Sequence, residues 1–231
     1  MSYQSKLNAA INFGLLVESL NEDEQIHRVG TTAKPKGKNG WYVAYGDLLV
    51  MGDWLTGITE TWRPDGLKRN FEDMKRIKEA IERSKQQKLS CQLQAATEVK
   101  AQYQNAHHAT VHPYLANKGI EAAEGLKISG HWLLVPLYDI ETNELVNIQR
   151  IAPDGTKLFS KGGQISGVGC PIGVSSNPTQ SMFICEGYAT AASIHLMTNQ
   201  PVIAAMNAGN LLHVAKAARQ RWPDVELVIA G

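Results

Sequence analysis

The stretch FICEGYATAASIHL, residues 183–196, decides the fold of this chain. An apolar run ends at Glu186, and Gly187 leads directly into a segment of helical composition. The same alternation continues downstream in PVIAAM (201–206), LLHVAKAARQRW (211–222) and VELVIAG (225–231). Strands that alternate with helices are typical of a parallel α/β sheet. Residues 181–231 are therefore predicted to form three parallel strands.

Glu186 is the candidate catalytic residue of this region. In open α/β sheets, functional groups gather at the carboxyl ends of the strands. A carboxylate at such a strand end, beside a helix N-terminus, can bind a metal ion or accept a proton. Alternatively, Glu186 only complements the positive end of the helix dipole. The spacing of the residues leaves both roles open.

The middle of the chain predicts a long helix followed by strands. Between Leu67 and His112 there is neither glycine nor proline, and apolar residues recur at helical intervals. This pattern predicts one amphipathic helix, or two joined helices, that connect two domains. Its mixed charges indicate a solvated face, with a DNA-binding stripe as the alternative. Strand-like runs follow in HWLLVPLYD (131–139), ELVNIQRIA (144–152) and TKLFSKG (156–162), and a glycine-rich stretch at 162–173 is predicted to be a loop.

The N-terminal part predicts a small sheet. Residues 4–21 have apolar positions at helical spacing. Aromatic and β-branched runs then predict an antiparallel meander, formed by WYVAY (41–45), DLLVMGDW (47–54) and GITETW (57–62). Trp41, Trp54 and Trp62 are predicted to supply the core of this meander. The alternative function of these tryptophans is a platform on which nucleic-acid bases stack.

These patterns predict an α/β fold, α+β over the whole chain, in four segments. The segments are a small α+β domain (1–66), a helical connector (67–110), a β-rich lobe (111–180) and a partial parallel sheet (181–231).

Composition excludes several classes of protein. The chain has 231 residues and a formal net charge of +1, which excludes a strongly basic nucleic-acid coat protein. Cys91, Cys170 and Cys185 are too widely spaced for a disulfide framework or a zinc site. No apolar run approaches the ~18 residues of a membrane span, and the N-terminus does not resemble a signal peptide. We therefore expect a cytoplasmic protein that does not bind a membrane.

The run ICEGYATAAS (184–193), with PVIAAMNAGNL (201–211) and VELVIAG, resembles the first half of a TOPRIM domain. It is most similar to the DNA primases of phages, plasmids and other mobile elements. HPYLANKGI (112–120) and the segment 135–163 also resemble the lobe that precedes the TOPRIM domain in these primases.

This resemblance implies template-directed synthesis of RNA primers by metal-dependent nucleotidyl transfer, in the DNA replication of a mobile element. TOPRIM sites combine a glutamate after the first strand, which corresponds to Glu186, with an Asp-x-Asp pair after the third. That pair is expected directly after Gly231, so the chain is expected to be truncated before it and inactive alone. Mg²⁺ or Mn²⁺ is expected in the full-length protein, with Glu186 as one ligand of an incomplete metal site. No zinc is expected.

The resemblance also implies the binding residues and the partners. Arg150, Lys157 and Lys161 are predicted to bind the nucleic acid or nucleotide, and Gly187, Asn207, Gly209 and Asn210 to form the active-site loop. The expected partners are a single-stranded DNA template, ribonucleoside triphosphates and a fused or separate replicative helicase. Two alternatives stay open: another TOPRIM enzyme, such as a nuclease or topoisomerase, or a non-catalytic module that binds single-stranded nucleic acid or docks a partner.

Overall fold

Residues 2–64, 71–176, 178 and 181–230 are described by a computed structural model of the chain. The chain divides into two units, Met1–Gln86 and Gln87–Gly231, and the division lies within a helix. The predicted boundary between residues 66 and 67 lies outside the described residues, as do Leu67, Gln180 and Gly231. The division into four segments therefore stays a prediction.

The first unit contains a helix packed on a five-stranded antiparallel sheet of order β1-β2-β3-β4-β5. Its elements are α1 (Ser2–Phe13), β1 (Leu15–Leu16), β2 (His27–Thr31), β3 (Gly40–Tyr45), β4 (Leu48–Asp53) and β5 (Thr59–Trp62). Strands β3 to β5 are the predicted meander, which is confirmed. Alternate residues of the sheet, such as Tyr42, Ala44 and Leu49, pack with Leu7 and Ala10 of α1.

The helical spacing over residues 4–21 was misleading, because α1 ends at Phe13. Gly14 has a φ of 101°, which a right-handed helix cannot accommodate. Leu15 then pairs with Thr31 as part of β1. Both Leu15 and Leu20 are still buried in the same core as α1. Ile11 and Leu16, which belong to the same pattern, are exposed, so the spacing predicted burial only in part and predicted the secondary structure after Phe13 incorrectly.

The three tryptophans of the meander differ in their burial. Trp62 is half-buried against the core beneath α1. Trp41 lies on the sheet face that is turned away from α1, where it packs on Val43 and Tyr45. Trp54 is 50% exposed, so the predicted core role is wrong for this residue. It follows the last residue of β4, in a turn, and therefore has no inward-facing strand position.

A long helix continues from the first unit into the second, and the second unit contains a larger mixed sheet and three further α-helices among the described residues. These elements are α2 (Phe71–Asn105), β6 (His107–His108), α3 (Pro113–Lys118), β7 (Lys127–Ser129), β8 (Trp132–Asp139), β9 (Leu145–Ile151), β10 (Lys157–Phe159), β11 (Val168–Ile172), β12 (Met182–Cys185), α4 (Tyr188–Thr198), β13 (Val202–Ala204), α5 (Leu211–Arg221) and β14 (Leu227–Ala230). The sheet order is β10-β9-β8-β11-β13-β12-β14, and β7 joins β6 to β8. The predicted mixed α/β fold is confirmed.

The predicted three parallel strands are confirmed, with β12 between β13 and β14. Helices α4 and α5 cover opposite faces, because alternate strand residues pack in separate clusters. Cys185 packs with Tyr188 of α4, whereas Ile184 packs with Val214 of α5. Among the described residues, none of the helices combines the length and apolar character that a membrane span requires.

The glycine-rich stretch contains a strand, contrary to the predicted loop. Strand β11 pairs antiparallel with β8 on one side and with β13 on the other. A Cβ atom at Gly169 would lie 2.8 Å from the Ala204 carbonyl oxygen, so glycine permits this close approach. Strand β11 therefore connects the antiparallel and parallel parts of the sheet.

Candidate active site at the carboxyl ends of the parallel strands

Glu186 lies at the carboxyl end of the central parallel strand. It directly follows β12 and is exposed, and Gly187 is the N-cap residue of α4. The Ala205 amide donates a hydrogen bond to the Cys185 carbonyl over 2.8 Å, which joins the ends of β12 and β13. The Glu186 carboxylate is thus beside two strand ends and a helix N-terminus, where a ligand from solvent can reach it.

The loop after β13 is held by the side chain of Asn210. This residue is only 3% exposed, and its amide nitrogen donates to the carbonyls of Val168 (2.7 Å) and Ala205 (2.9 Å). Its oxygen accepts from the Gly167 amide over 2.9 Å. All three of these hydrogen bonds join the Asn210 side chain to backbone groups. Asn210 therefore fixes the loop against the start of β11. The other loop residues differ: Asn207 is half-buried and Gly209 is exposed.

The three predicted basic residues lie at the antiparallel end of the sheet. Arg150 is on β9, and its Nη2 is 3.5 Å from the Phe159 carbonyl oxygen. Its Nε is buried and has no hydrogen-bond partner among the described residues. Lys157, on β10, is exposed, with its ammonium 5.6 Å from the centre of the Tyr114 ring. Lys161 follows β10 and is exposed.

These basic residues are remote from Glu186. Strand β9 is four strands from β12, through β8, β11 and β13. At ~4.8 Å between neighbouring strands, that is about 19 Å across the sheet. The structure brings Glu186 together with Gly187 and the Asn210 loop, and it keeps Arg150 and Lys157 apart from them.

A buried asparagine that the sequence analysis missed holds the turn that carries Lys161. Asn147 on β9 accepts a hydrogen bond from the Ser160 amide (3.2 Å) and donates one to the Gln164 carbonyl (2.8 Å). A Cβ atom at Gly163 would lie only 2.5 Å from the Asn147 amide nitrogen. A polar residue inside the apolar run ELVNIQRIA was the available signal, because a buried amide needs partners.

The described residues do not complete a metal site. No group of three or more His, Cys, Asp or Glu side chains is placed to hold a metal ion in the part of the chain that the structure describes. Hard cations require several oxygen ligands, and Glu186 offers one carboxylate. The nearby thiols do not help, because burial raises the pKa of Cys185 to about 11 and that of Cys170 to about 12. Both are therefore protonated, poor ligands at neutral pH.

Comparison with known proteins identifies the same region. Residues 181–231 match a family described as Toprim domain. An Escherichia coli protein named DNA primase TraC is 32% identical over 224 residues, and another E. coli protein of that name is 29% identical over 236 residues. Each match covers 90% of this chain but only 15% and 21% of the respective relatives. No solved structure matches the chain.

The family match coincides with the three parallel strands and with the loops that surround Glu186. The similarity to the primases extends beyond it, over nine tenths of the chain. The predicted resemblance is confirmed: residues 181–231 match the Toprim domain family, and nine tenths of the chain is similar to proteins named DNA primase.

Proposed function

We propose that this chain supplies part of the nucleotidyl-transfer site of a DNA primase that makes RNA primers on single-stranded DNA. The observation that carries the proposal is the position of Glu186, an exposed carboxylate at the carboxyl end of the central parallel strand. Similarity to proteins named DNA primase supports the proposed reaction class. The substrates are ribonucleoside triphosphates and a template, and the setting is cytoplasmic replication of a mobile element, with a helicase as a further partner.

In this proposal Glu186 accepts the proton of the primer 3′-hydroxyl or contributes one metal ligand. A bound Mg²⁺ or Mn²⁺ supplies neutralisation of the triphosphate charge. The TOPRIM resemblance implies that an Asp-x-Asp pair after the third strand would supply the other metal ligands. The loop of Gly187, Asn207, Gly209 and Asn210 surrounds the reacting end of the primer.

Arg150, Lys157 and Lys161 bind the template strand in this proposal rather than the reacting phosphate. The strand of Arg150 is four strands, or about 19 Å, from that of Glu186, and the strand of Lys157 is five strands, or about 24 Å, away; both are too far to share one phosphate group with Glu186. At ~3.4 Å per stacked nucleotide, these distances correspond to about six to seven nucleotides. The exposure of Lys157 and Lys161 supports a role in binding phosphate.

The test compares this chain with a longer protein that continues through Asp-x-Asp, using labelled ribonucleotides on a single-stranded template. We expect no primer synthesis by the 231-residue chain and synthesis by the longer protein. Glu186→Gln in the longer protein should abolish synthesis and leave DNA binding intact.

The matched control is Glu226→Gln. Glu226 is also exposed, but it precedes β14 and therefore lies at the amino ends of the parallel strands. Its substitution should leave synthesis unchanged. Synthesis by the Glu186→Gln protein, or by the 231-residue chain alone, would place the reaction elsewhere. Cleavage of DNA instead of synthesis would favour a TOPRIM nuclease.

A further inference from the structure

The first unit carries a row of residues whose side chains stack at one end of its sheet. Arg28 on β2, Trp41 on β3 and Gly52 on β4 are directly opposite one another in the sheet register. A Cβ atom at Gly52 would lie 2.7 Å from the Trp41 indole, so this indole lies against the backbone of the neighbouring strand. Trp41 thus has a fixed position on the sheet surface.

Trp54 extends this row into solvent. Its ring stacks on Trp41, with centroids 5.7 Å apart and an interplanar angle of 25°. The Arg28 guanidinium carbon is 4.6 Å from the centre of the Trp54 ring, and Trp54 remains 50% exposed. The Trp54 amide also donates to the Asn39 carbonyl over 2.9 Å, which ties the tryptophan to the loop before β3.

That loop is basic and adjoins the stacked rings. Residues 31–40 contain Lys34, Lys36 and Lys38 and no acidic residue, and all three lysines are exposed. Arg28 contacts the loop directly, because its Nε donates to the Lys38 carbonyl over 3.1 Å. Within the described residues no carboxylate pairs with Arg28 or with these lysines.

The carboxylate of Asp53 is near these cations but does not pair directly with Arg28 or with the loop lysines. Asp53 is 7% exposed, and one of its oxygens accepts hydrogen bonds from the Asn39 amide (2.7 Å) and the Leu55 backbone amide (2.8 Å). These bonds hold the turn that presents Trp54. The same group of hydrogen bonds therefore holds Arg28 and Trp54 against the lysine loop.

We propose that Arg28, Trp41, Trp54 and the three loop lysines, here called the tryptophan stack, bind single-stranded nucleic acid. Exposed aromatic rings stack on unpaired bases of any sequence, and unpaired cations bind the phosphates between them. An acidic protein could pair with the cations, but it would have no nucleobases to stack on the tryptophan rings, so single-stranded nucleic acid fits this surface better. The inference rests on the proposed function only in identifying the strand as the primase template.

The test uses the full chain with fluorescence anisotropy of a labelled oligothymidylate of about 20 nucleotides. An abasic strand of the same length and charge is the comparison ligand. Trp54→Ala should weaken oligothymidylate binding about tenfold and leave abasic-strand binding unchanged, whereas Trp54→Phe should retain most affinity. Arg28→Ala should weaken both ligands and reduce the slope of log affinity against log salt by about 0.7.

Two controls isolate this surface. Lys216→Ala removes an exposed cation on α5 of the second unit, outside every proposed binding surface, and should leave binding unchanged. Repeating the Trp54 series in an Arg150→Ala, Lys161→Ala protein removes the proposed template contacts of the second unit. The selectivity for bases should persist there. Because this readout is binding alone, it is independent of whether Glu186 supports primer synthesis.

The proposal is overturned if folded Trp54→Ala protein, verified by circular dichroism, binds oligothymidylate as the unchanged chain does. It is also overturned if the substitution weakens binding of the abasic strand as much as binding of oligothymidylate, because the rings would then not contact bases. Absence of primer synthesis in the longer protein, with base-selective binding intact, overturns the proposed function alone.

Discussion

The two units each bury a polar side chain, and they satisfy it in different ways. In the first unit Lys6 is 1% exposed, and its ammonium bonds to the Glu22 carboxylate and the Gly46 carbonyl. In the second unit Asn210 is 3% exposed and bonds to three backbone groups. Lys6 introduces a charge, whereas Asn210 introduces only an amide.

The hydrogen-bond partners of these two side chains explain which side chain contributes more to stability. The Glu22 side chain is 43% exposed and Gly46 is exposed, so water can replace Lys6 at both. The partners of Asn210 include the carbonyls of Val168 and Ala205, and both of these residues are buried. Water cannot reach such groups without opening the structure. A buried amide can therefore matter more than a buried charge.

The largest expected effect is that of Asn210→Ala. The substitution leaves one backbone donor and two backbone acceptors unpaired, at ~1–3 kcal/mol each before relaxation. We expect the free energy of unfolding of the second unit to fall by about 3 kcal/mol or more. Urea unfolding followed by circular dichroism measures the loss, and hydrogen exchange assigns it to residues near β11 and β13.

Asn207→Ala is the matched control for this effect. Asn207 lies in the same loop, and its side chain makes no capping hydrogen bond. Its removal should change the free energy of unfolding by less than about 0.5 kcal/mol. Equal losses in the two variants would contradict the role assigned to Asn210.

The next largest effect is expected in the first unit. Glu22→Ala leaves the Lys6 ammonium buried without its counter-charge and should lower the free energy of unfolding by about 2 kcal/mol. Lys6→Met removes the charge together with its desolvation cost, so a loss of only about 1 kcal/mol is expected. Urea unfolding of both single variants and the double variant measures the coupling. A loss in Glu22→Ala greater than that in Asn210→Ala would reverse the comparison between the units.

A smaller effect should appear at alkaline pH, in the second unit. Burial raises the pKa of Cys185 to about 11 and that of Cys170 to about 12, from an ordinary value of 9.0. As the pH rises past 9, the unfolded thiols therefore lose protons before the folded ones, and stability falls. The urea midpoint should decrease from pH 9 toward pH 11. Replacing both cysteines with alanine should reduce this decrease; an unchanged slope would assign it to other groups.

The smallest effect concerns thiol reactivity. Cys91 is exposed, whereas Cys170 and Cys185 are buried. One thiol should therefore react rapidly with a thiol reagent in the folded chain, and all three should react after unfolding. Cys91→Ser should remove the rapid phase. Its persistence in that variant would show that the second unit opens readily around a buried cysteine.

Local patterns predicted the elements of the parallel region well. The run from Phe183 to Leu196 combines an apolar strand, a glycine and a helix, all of which depend on neighbours in the chain. The meander was predictable for the same reason, because Gly46 and Asp47 mark a tight turn between two runs of strand-forming residues. The position of Glu186 at a strand end follows from these local signals, whereas its chemical role stays a proposal.

Local patterns failed where partners are distant in sequence. The end of α1 depends on the conformation of Gly14 and on the pairing of Leu15 with Thr31. Strand β11 was missed because its glycines suggest a loop, while its partners on β8 and β13 lie some thirty residues away on either side. Trp54 was predicted to be a core residue from its residue type, but it lies in the turn after β4 and is exposed.

The sequence by itself determined the parallel strands, the glutamate that follows the first of them, and the resemblance to TOPRIM primases, because these depend on short-range periodicity and motif. Only the tertiary structure decided which polar groups meet: Asn210 with Gly167 and Val168, and Arg28 with Trp54. Such pairs arise from strand register and side-chain burial, which are properties of the folded sheet and leave no signal in the local sequence.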